Sequence, residues 1–137
     1  MTYTTNYQLN QWAKSDRVLM DDFNADNQKI DAALKAVADG GTKLAVGTYV
    51  GTGQFGEAHP NTLAFDFAPT GILITAPKSS PNALILIAPA EIMYYPMDSR
   101  SVQVAWNGNT VSWYQINNGA DFQMNQDGVS YRYIAIG

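Results

Sequence analysis

The hydrophobic pattern of this chain changes period at a pair of glycines, and this change constrains the fold more than any other feature. Before Gly40 and Gly41, large apolar residues recur every three or four positions, which is typical of one face of an α-helix. After Lys43, apolar and polar residues alternate, which is typical of half-buried β-strands. The sequence therefore predicts a mainly β protein with an N-terminal helix, organised as residues 1–42 and residues 43–137.

The N-terminal part is predicted to be an irregular arm over residues 1–14 and a helix over residues 15 to about 39. Ser15 or Asp16 can cap the helix start, because a short polar side chain accepts a hydrogen bond from a free backbone N–H. The glycine pair favours the left-handed conformation that ends many helices. Six helical positions, spaced 3, 4, 3, 4 and 3, form the a/d stripe of a heptad repeat: Met20, Phe23, Asn27, Ile30, Leu34 and Val37.

This stripe favours self-association as a coiled coil, with Asn27 at an a position where a buried amide fixes the register. Ala33 and Ala38 widen the stripe and favour three or more helices. Two features favour the alternative of a helix that lies on its own β domain. The repeat covers fewer than three heptads, and Asp26 would face Asp31 of a parallel neighbour.

The part after Lys43 is predicted to be an antiparallel β-sandwich or barrel. Eight short β-rich segments alternate with Gly, Pro and Asn: KLAVGTYV, TLAFDF, GILITA, ALILIA, IMYY, SVQVAW, TVSWYQ and SYRYIAI. The clearest local unit is VQVAW-NG-NTVSW, where Asn107 and Gly108 predict a type I′ hairpin turn. That turn pairs Trp106 with Asn109, Val104 with Val111 and Val102 with Trp113, and it places the large apolar residues on one face.

Composition excludes several function classes. Hydrophobic residues make up 46% of the chain and charged residues 15%, with a net charge of -4. Without a Lys/Arg cluster, binding to nucleic acid lacks its electrostatic driving force. The most apolar run is too short to span a membrane, and the N-terminus lacks the basic and apolar regions of a signal peptide. We therefore expect no nucleic-acid partner, no membrane insertion and no signal peptide.

The motifs whose residues could take part in catalysis or cofactor binding do not predict an enzyme. Gly51, Gly53 and Gly56 match the spacing of a dinucleotide fingerprint, but no helix follows the third glycine, so we interpret them as an inter-strand loop. His59 is the single histidine and the chain has no cysteine, which leaves a zinc site incomplete. The acids of the β region are scattered at turns. We expect no catalysis, no metal and no cofactor.

Adjacent aromatics suggest a binding surface. Tyr94-Tyr95 and Trp113-Tyr114 lie within predicted strands, so one ring of each pair points away from the other. Exposed rings stack on the CH groups of sugars, and nearby amides bond the hydroxyls. The alternative, that both faces are buried in a sandwich or an oligomer, stays open. The predicted ligand-binding residues are Tyr94, Tyr95, Tyr114, Asn118 and His59.

Two stretches resemble tail proteins from bacteriophages and prophages of Gram-positive bacteria. The first has an N-Y-x-L-N-Q-W opening and a D-x-F-N-x-D-N-x-K-I-D-x-A-L helix. The second comprises GTYVGTG, FDFAP, WNGNTVSWY and the ending QMNQDGVSYRYIAIG. Together these segments cover most of the chain and resemble tail-fibre or receptor-binding proteins associated with the baseplate.

The resemblance implies a virion tail component, commonly a homotrimer, made in the host cytoplasm. Its N-terminal part would attach to tail or baseplate proteins, and its β domain would bind a polysaccharide on the host surface. Long fibres carry shaft repeats, which this chain lacks, so a purely structural tail subunit remains the alternative. A tail enzyme that degrades glycans is the third interpretation. The family provides no catalytic residues to transfer to this sequence.

Overall fold

The structure is a computed structural model that describes residues 1–78, 81–95, 99–117 and 119–137. Contacts divide the chain into two compact units, Met1–Gly41 and Thr42–Gly137. The first unit contains a two-residue pairing of β1 (Thr2–Tyr3) with β2 (Asn10–Gln11), followed by α1 (Met20–Gly40). The N-terminal arm, predicted to be irregular, therefore includes a short antiparallel β-bridge.

The helix begins later than predicted, because the expected capping residue serves the arm instead. Asp16 Oδ2 accepts a hydrogen bond of 2.8 Å from the Ala13 N–H and lies 2.9 Å from the Met1 amino group. These partners hold the pKa of Asp16 below its usual value. The helix starts after Leu19, whose apolar side chain cannot cap it. The prediction of a start at Ser15 was wrong by five residues.

The end of α1 lies where it was predicted, but its conformation differs. Gly41 has a φ of -72°, which is outside the left-handed region, and its N–H donates to Val37 O at 2.9 Å. A Cβ on Gly41 would lie 2.9 Å from the same Val37 oxygen. Glycine is therefore required here by a close approach of backbone atoms, and the left-handed cap that the sequence suggested was wrong.

Asp26 is the buried residue of α1, with 7% exposure, and it fastens the arm to the helix. Its Oδ2 accepts a hydrogen bond of 2.9 Å from the Asn10 N–H, and its Oδ1 lies 3.5 Å from Lys29 Nζ. Lys29 Nζ also donates to the Gln8 carbonyl. Asp26 is therefore engaged within its own chain, which weakens the objection that it would repel Asp31 of a parallel neighbour.

The second unit is a sandwich of two four-stranded antiparallel sheets, which confirms the predicted fold class. Its strands are β3 (Leu44–Val50), β4 (Asn61–Ala64), β5 (Gly71–Thr75), β6 (Ala83–Ile87), β7 (Ile92–Tyr94), β8 (Ser101–Asn107), β9 (Thr110–Tyr114) and β10 (Ser130–Ile136). Sheet I has the order β3-β10-β5-β6, and sheet II has the order β4-β9-β8-β7. The β3–β4 loop comprises residues 51–60. Each of the eight strands matches one of the eight segments predicted from alternation. No strand extends more than one residue beyond its segment.

The core lies between the inward faces of the two sheets. Sheet I contributes Ile72, Ile74, Leu84, Leu86, Tyr131 and Ala135, and sheet II contributes Val102, Val104, Val111 and Trp113. Alternation along each strand sends every second side chain into this layer and its neighbours outward. The two inward faces are alike in character, whereas the two outward faces differ.

The β8–β9 hairpin has the predicted faces but a different register. Asn107 pairs with Thr110, and Trp106 pairs with Val111, so the two-residue turn consists of Gly108 and Asn109. Gly108 has a φ of 60°, while Asn109 is not at positive φ. A glycine at the first central position fits a type II′ turn, whereas type I′ requires positive φ at both positions. The predicted pairing was wrong by two residues, and a shift of two keeps each side chain on its face.

The outward face of sheet I is aliphatic over two adjacent rows of side chains. Cross-strand pairs align Val46, Ile134, Leu73 and Ile85 in one row, and Leu44, Ile136 and Ile87 in the next. Their exposed fractions run from 37% for Leu73 to 65% for Leu44. We call these seven side chains the aliphatic face.

Candidate functional site

A buried amide organises the surface beside β4. Gln123 is fully buried, and its side chain makes four hydrogen bonds. Its Oε1 accepts from the Gly56 N–H and the Gln115 N–H, each at 2.9 Å. Its Nε2 donates to His59 O at 2.7 Å and to Asn61 Oδ1 at 3.2 Å. One side chain thus joins the β3–β4 loop, the start of β4 and the end of β9.

A second buried amide holds the first half of the same loop. Asn125 Oδ1 accepts from the Thr52 N–H at 3.0 Å, and its Nδ2 donates to Thr52 Oγ1 and to Gln54 O, each at 2.8 Å. The backbones approach so closely that a Cβ on Gly51 would lie 2.1 Å from Gln126 O. The segment is an inter-strand loop, as predicted, and β4 follows it where a nucleotide fingerprint needs a helix. The sequence predicted a flexible loop, whereas its glycine spacing serves close chain packing.

A cleft of about 400 Å³ opens between β3, β4 and this loop. The described residues that line it include no acid, lysine or arginine. Its polar side chains come from Tyr49, Thr52, Gln54, His59, Asn61, Thr62 and Asn125. Because buried amides fix the backbone on both sides, the chain that carries these groups is held in place before any ligand arrives, which reduces the entropy lost on binding.

Tyr49 forms the floor between the cleft and the core. Its ring stacks on Tyr131 with centroids 5.1 Å apart, and its hydroxyl donates to Met124 O at 2.7 Å. Burial raises the pKa of Tyr49 far above its usual value. The hydroxyl therefore stays protonated and acts as a hydrogen-bond donor within the protein.

The outward face of sheet II continues from this cleft and is polar. Thr62 of β4 pairs with Ser112 of β9, and Tyr114 follows two positions later on the same face. Tyr114 pairs with Gln103 of β8. Two positions along that strand, Ser101 pairs with Tyr94 of β7.

We call the surface formed by His59, Thr62, Tyr114, Gln103 and Tyr94 the polar track. Three strand intervals separate β4 from β7, so the track is about 14 Å wide. The outward-facing residues of the four strands are Thr, Ser, Gln, Asn, Ala, Ile and Tyr, and none is charged. Tyr94 is 64% exposed and Tyr114 is half-buried, so both rings border solvent.

Comparisons of the chain with known protein families, curated proteins and solved structures gave no match. The site is therefore characterised by its own geometry.

Three of the five predicted ligand-binding residues lie on the outward face of sheet II or at its β4 edge. Tyr94, Tyr114 and His59 lie along the polar track. Tyr95 is 5% exposed, its ring meets Phe122 edge-on, and its hydroxyl donates to Phe122 O. Tyr95 therefore belongs to the core and offers no ring to a ligand. Asn118 lies outside the described residues.

The six residues predicted for oligomerisation lie on α1, and all are exposed. Exposed fractions are 78% for Met20, 55% for Phe23, 42% for Ile30, 66% for Leu34 and 69% for Val37. With Asn27 they form one continuous stripe, which we call the α1 stripe.

Within the described part of the chain, no group of three or more His, Asp or Glu side chains could hold a metal ion. No helix in that part has the length and apolar content to cross a membrane.

Sequence reasoning missed the residues that shape the site. Gln123 and Asn125 lie in a polar segment whose composition resembles a solvent-exposed turn, yet both are buried. Gln103 falls on the polar face of the predicted hairpin, but nothing in the sequence indicated that it borders Tyr114, and Thr62 was not singled out at all. That neighbourhood depends on the strand order of sheet II.

Proposed function

We propose that this chain is a phage-tail-type recognition protein that binds a neutral glycan on the host surface along its polar track. The observation that carries the proposal is the continuity of this track from the cleft at His59, past Tyr114 and Gln103, to Tyr94. Rings provide flat apolar surfaces for the CH groups of a sugar. Hydroxyl and amide groups between them donate and accept hydrogen bonds from sugar hydroxyls.

The chemistry of the track favours an uncharged polysaccharide over other ligands. A phosphate or a nucleic acid would require cationic side chains, which the outward face of sheet II lacks among its described strand residues. A glycan chain can lie across several strands and place one of its sugar units in the cleft. The track is shallow between Tyr94 and Tyr114, so a single copy would bind weakly.

Weak single sites fit a protein that works in several copies. Linked sites gain affinity through effective concentration without any new contact. The α1 stripe supports a homotrimer, since an exposed row of Phe23, Ile30 and Leu34 at heptad spacing gains stability by packing against equivalent helices. Met1–Gly41 would then assemble the copies and attach to tail or baseplate proteins. The protein would act as part of a virion tail outside the cell.

The test is binding of the full chain to a glycan array and to purified wall polysaccharides of Gram-positive bacteria. We expect Tyr114→Ala and Tyr94→Ala each to weaken binding about tenfold, which corresponds to the loss of one ring–sugar contact. His59→Ala tests the cleft end of the track. Tyr7→Ala is the matched control, because Tyr7 is 58% exposed and lies in the N-terminal unit.

Unchanged binding by the double variant Tyr94→Ala/Tyr114→Ala would refute the track as the glycan site. Measurements use a monovalent oligosaccharide as well as the polymer, so that changes at the site are separated from changes in oligomeric state.

A second candidate is a structural tail subunit that binds no glycan. The exposed α1 stripe and the aliphatic face favour it, because both surfaces suit packing among protein chains. Under this alternative, no polysaccharide binds, and labelled protein is buried within the particle instead of lying at its distal tip.

A further inference from the structure

We infer that the aliphatic face of sheet I is an interface at which this chain packs against the same face of a second copy. This inference goes beyond glycan binding and does not depend on it. It concerns the other outward face of the sandwich, and it adds an interface separate from the α1 stripe, one that pairs copies two by two where the α1 stripe would join three.

The face is large enough for a stable contact. Seven aliphatic side chains, each between 37% and 65% exposed, present on the order of 600 Å² of apolar surface, at the upper limit of the largest patch of a typical monomer. The adjacent row of Thr48, Arg132 and Thr75 lies on the same face. Together the rows approach the roughly 800 Å² that each partner contributes to a standard interface.

The apolar composition of the face favours a stable interface with a second copy of this chain. Transient interfaces are about as apolar as ordinary surface, whereas interfaces between identical subunits are markedly more apolar. In the two aliphatic rows every large side chain is aliphatic, and Gly71 completes the second row. None of the described outward strand positions of sheet I carries an aromatic ring that could stack on a sugar.

The charge pattern also fits an identical face. Arg132 is the charged residue among the outward strand positions of sheet I, and it lies in the row beside the aliphatic residues. A face with one cation and no acids offers no complementary charge pattern to a different protein. When two such faces pack, the apolar rows meet, and the Arg132 stems extend along the rim with their charged ends in water.

The general packing of β-sheets permits this contact. Two β-sheets pack with a spacing of about 10 Å when their facing side chains interdigitate. Side chains of β3, β10, β5 and β6 are aligned in rows on each copy, and rows of this kind interdigitate when two sheets pack. The polar track is then directed away from the contact on every copy.

The experiment is sedimentation and light scattering of the full chain over a range of concentrations. We expect the wild-type protein to associate, and Ile134→Lys to weaken association more than about tenfold, because a lysine at the centre of the face would be buried without a partner. Ile85→Lys on the edge strand β6 is a second variant. Ala105→Lys is the matched control, since Ala105 is exposed at the centre of the outward face of sheet II.

Single-cysteine variants locate the contact directly, because the chain has no cysteine of its own. We expect Leu73→Cys to form disulfide-linked dimers under mild oxidation and Ala105→Cys to remain unlinked. Circular dichroism confirms that each variant retains its β structure.

Three results would overturn the inference. Wild-type protein could stay monomeric at every concentration reached. Both lysine variants on the face could associate as the wild type does, which would leave the α1 stripe as the sole interface. Wild-type protein could also bind neutral phosphatidylcholine vesicles in a manner abolished by Ile134→Lys, which would identify a membrane as the occupant. In every case a monovalent sugar measures the track separately, so failure of the interface and failure of glycan binding are distinguishable.

Discussion

Gln123 connects three separate segments of the β unit by using every hydrogen-bonding group of its side chain. Its two acceptor bonds go to backbone N–H groups, and its two donor bonds go to a carbonyl and to Asn61. A buried amide with all its groups bonded specifies one arrangement of the surrounding chain. The loop that carries His59 therefore has a defined position although it contains several glycines.

Replacing this amide should destabilise the protein strongly. We expect Gln123→Ala to lower the free energy of unfolding by about 2–3 kcal/mol, because the buried N–H groups of Gly56 and Gln115 lose their acceptor. Urea denaturation monitored by tryptophan fluorescence measures the change. Gln126→Ala is the control, since Gln126 is exposed and should change stability little. Equal midpoints for the two variants would contradict the role assigned to Gln123.

Single residues also explain where sequence-based prediction failed. Asp16 has the side chain of a helix cap, but in the folded protein it bonds Ala13 and the chain terminus. Tyr95 was predicted to bind a ligand, but the alternation of β7 extends one position beyond the strand and directs this side chain into the core. The contact of Asp16 with the Met1 amino group and the contact of Tyr95 with Phe122 join residues that are distant in the sequence, and local sequence does not specify such contacts.

At the level of secondary structure, prediction worked wherever periodicity was the signal. The strands of the sandwich and the end of α1 lie where alternation and glycines placed them. The hairpin register was wrong because Asn107-Gly108 and Gly108-Asn109 are both acceptable two-residue turns, and they differ only in which residues require positive φ. The choice is settled by pairing across the whole hairpin, including Trp106 with Val111.

The turn assignment yields a prediction about Gly108. A Cβ there would meet nothing within 4 Å, so the cost of a side chain is purely conformational. We expect Gly108→Ala to destabilise the β unit by about 1 kcal/mol, because φ is 60° and alanine disfavours the left-handed region. Gly108→Asn should cost about as much, since asparagine tolerates the left-handed region of a type I′ turn, whereas the first central position of a type II′ turn favours glycine. Thermal unfolding of both variants tests the turn, and a much smaller loss for Gly108→Asn would indicate type I′ instead.

At the level of the whole molecule, the two outward faces of the sandwich have opposite chemistry. Sheet I presents aliphatic rows, and sheet II presents mainly hydroxyls, amides and two tyrosines, with Ile92 and two alanines among them. The sequence predicts which residues point outward, but it does not predict that β3, β10, β5 and β6 share one sheet. Two parts of the candidate site, His59 and Tyr94, lie at opposite edges of sheet II, so their relation depends entirely on long-range strand pairing.

These faces predict how association depends on salt. Each copy carries a net charge of -4, so copies repel one another at low ionic strength. At 0.1 M salt, charges more than about 10 Å apart are largely screened from one another, whereas apolar contacts remain. We therefore expect association to hold or strengthen from low to high sodium chloride, as measured by sedimentation equilibrium. Dissociation on adding salt would instead indicate an interface made by ion pairs.

The alternation of β8 and β9 makes the chain suitable as an engineered affinity scaffold. Inward residues such as Val104 and Trp113 hold the fold, while their neighbours Gln103, Ser112 and Tyr114 point to solvent. A display library can therefore randomise the outward positions without touching the interior. Selection from it would redirect the protein to new targets, and the opposite sheet would be left unchanged.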